Sequence, residues 1–201
     1  MKARELAVEG AYEFVPDIFP DERGLFVSPF QHTAFEAAVG HPLFPVRQTN
    51  HSRSRLGVVR GIHYTVTPPG TAKYVYCPKG RSLDIVVDVR EGSPTYGRWE
   101  AVLLDPHEFQ CAYLPVGVGH AFIALDDDTV MAYMLSEEYT PANELALSAL
   151  DPALGLPIPT EWGEPLLSDR DRVAPTLEEA RVAGLLPGYE TSRAVERALW
   201  V

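Results

Sequence analysis

Residues 57–80 read GVVRGIHYTVTPPGTAKYVYCPKG, and the reading of the fold starts from this stretch. Two runs, 58–65 and 73–77, are rich in β-branched and aromatic residues, and Pro68-Pro69-Gly70 between them continues neither. The pattern predicts two β-strands joined by a hairpin turn. Side chains alternate across a strand, so Lys73, Val75 and Cys77 share one face. Strict alternation puts Arg60 and His63 on opposite faces, whereas a bulge at Gly61 brings both to the same side. Two cations and an imidazole are more than a structural hairpin needs. On spacing alone, a lone strand histidine between solvated cations fits equally well.

Outward from this stretch the chain consists of short apolar runs punctuated by Gly, Pro and Asp, and helical periodicity is rare. Strands are expected at 11–15 and 25–30 around the 21–24 turn, and at 46–52, 83–89, 99–104, 112–115, 121–125 and 130–135. Residues 126–128 are expected to close a hairpin. The 46–52 run places Gln48, Asn50 and Ser52 on one face, which is either a solvent face or the wall of a pocket. In 83–89, Leu83, Ile85, Val87 and Val89 form the apolar side, and Asp88 on the other side reads as a solvated carboxylate. Helices are expected at 33–40, at 176–184 and at 191–199. The first two begin with capping-box spacing, Thr33 to Glu36 and Thr176 to Glu179, and Gly40 closes the first. The fold class read from this is all-β, with short peripheral helices, in one domain spanning 1–201 that ends in a helical tail from about 176.

Composition narrows the function. At 201 residues the chain can bury a substantial core. A net charge of −11 argues against nucleic acid as a partner, because phosphate binding rests on clustered Lys and Arg. A small anion is still compatible if a few cations converge. Cys77 and Cys111 have no metal-ligand or disulfide-framework spacing and are expected to be buried thiols. No apolar run approaches the roughly 18 residues of a membrane span, and the N-terminus lacks a signal-peptide core, so a cytoplasmic location is expected.

Motifs along the chain sharpen this. RGIHY at 60–64 is followed, ten residues after its His, by the Lys of AKYVYC at 72–77. DERG occurs at 21–24, QTNHS at 48–52, GSPTYG at 92–97, GVGHAF at 117–122 and LSDRD at 167–171, with Tyr133 and the 139–144 segment between the last two. In this order the motifs resemble the dTDP-4-dehydrorhamnose 3,5-epimerase family of the cupin superfamily, over about residues 5–190. The wording around VTPPGTAKY is closest to relatives that make unusual deoxysugars for secondary metabolites.

The resemblance implies a cupin-type jelly-roll β-barrel, a homodimer, no metal or organic cofactor, and a dTDP-4-keto-6-deoxyhexose as substrate. It also implies roles. His63 is the base that removes a proton beside the C4 ketone, and Asp171 orients it. Lys73 stabilises the enolate, and Tyr133 is the acid on the opposite face. His120 touches the sugar or its keto group. Arg23, Arg60 and Arg170 hold the diphosphate; Gln48, Asn50 and Glu144 are polar contacts; Phe26 and Tyr139 flank the thymine. These residue types suit the chemistry, since a weak carbon acid needs a positioned base together with stabilisation of the oxygen that gains charge.

Two departures from the family pattern, Ser28 and Thr65, replace larger polar groups near the sugar or nucleotide. They lead us to expect one favoured centre, with C5 ahead of C3. Two other enzyme readings are open: a metal-dependent cupin, which wants a His-x-His pair that Thr65 interrupts, and a sugar-nucleotide ketoisomerase. A non-catalytic sugar-binding cup is the third alternative.

Overall fold

The computed structural model describes residues 1–159 and 163–200. Between Gln48 and Ala146 the chain is built mostly by changing sheets. β5 (Gln48–Ser54) lies in one sheet and β6 (Val59–Thr65) in a second; β7 (Lys73–Lys79) returns to the first and β8 (Ser82–Val87) to the second. β9 (Trp99–Leu104) pairs with β8, after which β10 (Cys111–Leu114), β11 (Gly119–Ala124), β12 (Thr129–Leu135) and β13 (Glu144–Ala146) alternate again. With β1 (Lys2–Glu5) and β2 (Tyr12–Val15) added, the sheet orders are β1-β2-β10-β7-β12-β5 and β13-β6-β11-β8-β9. Their ladders are antiparallel. β3 (Ile18–Asp21) and β4 (Gly24–Val27) form a separate two-stranded hairpin around the expected 21–24 turn.

Two expected hairpins are therefore crossings. The Pro-Pro-Gly turn carries the chain from β6 to β7 in the other sheet, and residues 126–128 do the same between β11 and β12. Period-two alternation and turn residues look alike in both cases, so local pattern cannot separate them. The crossing has a functional consequence: it places His63 and Lys73 in different sheets.

The core lies between the two sheets. Val75, Cys77, Ala112, Leu114 and Met131 from the six-stranded sheet meet Val86, Val102, Leu104, Phe122 and Ala124 from the five-stranded one. The outer faces are covered too, as the apolar content of both strand faces requires. Tyr74, Cys111, Tyr113 and Phe14 pack against Phe35 of α1 (His32–Val39) and Val195 of α4 (Tyr189–Ala198). Ile85, Val87 and Val89 pack outward against Leu147, Leu154, Leu186 and Ala180 of α3 (Leu177–Val182). The apolar stripe of β8 thus faces the covering segments, and the other face, with Asp84 and Val86, points between the sheets.

Three local expectations are corrected. Asp88 is fully buried, accepting hydrogen bonds from Arg90 Nε (2.9 Å) and Nη2 (2.8 Å), Ser93 Oγ (2.6 Å) and Thr95 Oγ1 (2.6 Å). A buried carboxylate needs such partners, and Arg90, itself fully buried, supplies the charge. Thr33 lies inside the first turn of α1, whose N-cap is Gln31 without a side-chain cap bond. The strand expected at 25–30 stops at Val27. Gly40, by contrast, adopts the left-handed C-cap (φ 86°), and Thr176 and Glu179 form the expected capping box. Among the described residues, no helix is long and apolar enough to cross a membrane.

Candidate active site

A cavity of about 470 Å3 opens between the sheets. Arg60, His63, His120 and Glu144 reach it from the five-stranded sheet, and Asn50, Lys73 and Tyr133 from the six-stranded one, with Tyr139 beyond the end of β12.

The bulge expected in β6 is present. Arg60 lies opposite Phe122 of β11 and His63 opposite His120, so three steps along β6 match two along β11. Gly61 absorbs the extra residue at φ 113°, a conformation that favours glycine. A Cβ there would lie 2.4 Å from the His120 carbonyl oxygen. Both Arg60 and His63 consequently face the cavity.

His63 donates from Nε2 to Asp171 Oδ1 at 2.7 Å. The imidazole is about one-third exposed, at 31%, and the carboxylate is buried. Asp171 is held in the short helix α2 (Asp169–Arg172), where Ser168 caps its amide at 3.1 Å. Burial pushes the Asp171 carboxyl up, but the His63 hydrogen bond and charge, the Ser168 hydroxyl and the Gly61 amide outweigh it and hold the group below its ordinary value. With Nε2 committed, Nδ1 of His63 is the nitrogen left to accept a proton.

Lys73 is buried, with Nζ 3.5 Å from the His63 carbonyl oxygen. Burial lowers its ammonium pKa; Glu144 and Asp84 oppose the shift, and Arg170 adds to it. Tyr133 lies edge-on to His120, ring centroids 6.0 Å apart. Burial raises its phenol, against the Ser52 hydroxyl and the Arg60 charge.

Around this centre Thr65 Oγ1 donates to Glu144 Oε1 (2.9 Å), Gln48 Nε2 to Asn50 Oδ1 (2.7 Å), and the Tyr139 amide to Gln48 Oε1 (2.9 Å). Arg60 Nε donates to Ser54 Oγ at 3.1 Å. Arg170 is exposed on α2, close enough for its charge to act on Lys73. Arg23 and Phe26 are not brought to this cavity by their own chain. They stand exposed on the β3–β4 hairpin, Arg23 paired with Asp21.

Asp84 was not among the candidates read from the sequence. It is fully buried and accepts from His120 Nε2 at 2.6 Å. Its signal was its parity: it shares the inward face of β8 with Val86, opposite the stripe that looked like the core side. Ser52, Glu137 and Glu138 also line the cavity. Among the described residues, no three His, Cys, Asp or Glu side chains converge as a metal site.

The family described as dTDP-4-dehydrorhamnose 3,5-epimerase matches residues 5–179. The chain belongs to this family. It is 47% identical over 194 residues, 96% of each chain, to the dTDP-4-dehydrorhamnose 3,5-epimerase of Mycobacterium tuberculosis. The solved structure of the Mycobacterium tuberculosis rmlC epimerase aligns at a TM-score of 0.94, covering 99% of this chain and 100% of that one at 46% identity. A dTDP-4-dehydro-6-deoxyglucose 3-epimerase of Streptomyces bikiniensis is 48% identical over 193 residues, 96% of this chain and 97% of the relative. NovW, a 4-keto-6-deoxy sugar epimerase from the novobiocin biosynthetic gene cluster of Streptomyces spheroides, aligns at 0.91 with 47% identity over 96% of this chain and 95% of that one. These relatives are epimerases by name, and an epimerase is an isomerase by reaction class.

Proposed function

We propose that this chain epimerises a dTDP-4-keto-6-deoxyhexose beside its C4 ketone, by proton abstraction and reprotonation. The observation that carries the reading is the His63–Asp171 pair on one wall of a cavity whose other wall holds Lys73 and Tyr133. Nδ1 of His63 takes the proton from the carbon next to the ketone, and Asp171 stabilises the resulting imidazolium. Lys73 donates to the enolate oxygen; its lowered pKa makes the ammonium a stronger donor there. Tyr133 then delivers its phenolic proton to the opposite face, which inverts the centre. No metal or organic cofactor enters the scheme, and activity is expected to survive exhaustive EDTA treatment.

For the nucleotide, Arg60 and Arg170 suit the diphosphate, and Tyr139 a thymine face. Asn50, Gln48 and Glu144 form a polar rim for sugar, phosphate or base. Arg23 and Phe26 fit this scheme in a homodimer, with the β3–β4 hairpin of one protomer reaching its partner's cavity; sedimentation would read the dimer. The two facing sheets and their repeated crossings suit a jelly-roll cupin barrel, working as one domain in the cytoplasm.

The relative of Streptomyces bikiniensis named for a single centre is a 3-epimerase, and the Mycobacterium tuberculosis relative a 3,5-epimerase. These names favour C3 over C5 as the first centre, the reverse of the order expected from Ser28 and Thr65. The test is incubation with dTDP-4-keto-6-deoxyglucose in D2O, followed by NMR. Deuterium is expected at C3, with or without C5, and the absence of wash-in at both carbons overturns the reading.

A further inference from the structure

A second cavity, of about 420 Å3, lies at the β1–β2 edge of the six-stranded sheet, between these strands, the C-terminal end of α1 and the last turns of α4. It shares no lining residue with the cavity that holds His63. Its size suits a small organic ligand.

Acceptors dominate its polar lining, and Glu196 is the decisive one. This residue is only 4% exposed. Its Oε1 accepts from the Tyr113 hydroxyl, and its Oε2 has no hydrogen-bond partner among the described residues and is the oxygen left for the cavity. Burial raises the Glu196 carboxyl, against the Tyr113 hydroxyl and the more distant charges of Arg193 and Arg90. Arg193 also lines the cavity, but its guanidinium is paired with Glu9. Among the described residues, neither Glu196 nor Glu5, a third carboxylate of the lining, forms an ion pair. A buried carboxylate oxygen left without a partner is costly, and an amide or apolar side chain would fill the space more cheaply.

His41 belongs to the same wall. Its ring centroid is 6.1 Å from that of Tyr113 and 3.7 Å from that of Trp200, on which it stacks. Its Nδ1 donates to the Pro42 carbonyl oxygen at 2.8 Å. Burial and the Arg193 charge outweigh that bond and hold the ring below its ordinary pKa, so it is neutral and Nε2 is a further acceptor. Carboxylates repel an anionic ligand, phosphates included, and a neutral hydroxyl would bond Oε2 without balancing its charge. No three His, Cys, Asp or Glu side chains among the described residues converge on a metal ion. We propose that this cavity binds a primary organic ammonium ion, with Glu196 Oε2 as its counter-ion and the rings of Trp200 and Tyr12 against its apolar body. The inference is independent of the epimerase reading.

The test titrates the whole chain with phenethylammonium and with its neutral and anionic counterparts, 2-phenylethanol and 3-phenylpropionate, following the tryptophan indole signals by 1H–15N NMR. Phenethylammonium is expected to move the Trp200 signal, identified by its loss in Trp200→Ala, with a Kd of about 1 mM or tighter. The alcohol should bind at least about 10-fold more weakly and the carboxylate not saturably, because only the cation neutralises Glu196. Glu196→Gln keeps the shape and the Tyr113 bond but removes the charge, and should weaken the ammonium by about 10-fold or more, with circular dichroism as the control for folding. Trp200→Ala, at the end of the chain, should weaken it by about fivefold, read by calorimetry. Absence of saturable binding, equal affinity for ammonium and alcohol, unchanged affinity in folded Glu196→Gln, or displacement of the ammonium by dTDP overturns the inference. If Glu196→Gln does not fold, the three-ligand comparison in wild-type protein and the Trp200→Ala affinity decide it.

Discussion

His63 stands directly opposite His120 across the β6–β11 ladder, and each imidazole donates Nε2 to its own buried carboxylate, Asp171 at 2.7 Å and Asp84 at 2.6 Å. Paired positions in an antiparallel ladder place side chains on one face, so both rings meet the same cavity. They differ in depth. The His63 side chain is 31% exposed and that of His120 is 5% exposed. On the proposed mechanism the shallower ring is the base, and the deeper one belongs to the cavity wall.

His63→Asn is expected to abolish wash-in beside the ketone, by about a thousandfold or more, while dTDP still binds. Asp171→Asn should lose roughly 10- to 100-fold, since the imidazole keeps its place but not the stabilisation of its charged form. Wash-in at the wild-type rate in folded His63→Asn would move the base elsewhere.

On the proposed mechanism, Lys73 sets stability against activity. Its ammonium is buried and its pKa lowered by that burial. The unfolded chain therefore binds more protons between the lowered folded value and the unperturbed value of about 10.4, and stability rises with pH across that window. Below the window the cost of the buried cation is present in full. Lys73→Met should raise stability at pH 7 by about 1 kcal/mol and lower the exchange rate by at least about 100-fold. Urea unfolding and D2O exchange on the same preparation check both signs; a destabilised variant contradicts the account.

Much of this site is legible in the sequence, and the reasons for the rest are physical. RGIHY, the lysine ten residues on and the LSDRD aspartate are short, spaced signals, and the bulge at Gly61 follows from needing Arg60 and His63 on one side. Asp84 is harder to see because both faces of β8 are covered, so the more apolar side is no guide to which face looks into the cavity. The turns at 68–70 and 126–128 carry no mark of the sheet in which the next strand will pair. Arg23 and Phe26 sit on a hairpin that its own chain does not fold onto the cavity, and no pattern within one chain reports that.

Asp88 should carry a measurable part of the acid stability. Burial raises its carboxyl, but Arg90, Ser93 and Thr95 more than offset this and lower it. A depressed carboxylate stabilises the fold fully above its unfolded value of about 3.9, and that stability is lost as pH falls through the lower folded value. Asp88→Asn takes the two-pronged carboxylate from buried Arg90 and leaves Glu9, at 3.4 Å, as its remaining ion-pair partner, so a loss of about 3 kcal/mol is expected at pH 7. The wild-type and variant stabilities should converge below about pH 4. A constant difference down to pH 2 would assign the loss to packing instead.

Gly61→Ala tests the bulge on which the site is built. The residue has φ 113°, and an added Cβ would lie 2.4 Å from the His120 carbonyl oxygen and 2.8 Å from Ala121 Cα. These are backbone atoms of the neighbouring strand, so they cannot swing aside as a side-chain tip can. Backbone strain and overpacking each cost about 1–3 kcal/mol, which gives an expected destabilisation of roughly 2–6 kcal/mol. Relief requires β6 to move away from β11 or to lose the extra residue, and either change takes His63 out of line with Asp171 and the cavity. The Gly61 amide also supports the Asp171 carboxylate. Exchange should therefore fall by more than 100-fold even at a temperature where the variant stays folded, because displacement of about 1 Å at a reacting group is enough for such a loss. Circular dichroism would establish the folded range and D2O exchange the rate within it. A folded variant with near wild-type exchange would show that β6 can carry Arg60 and His63 into the cavity without this glycine.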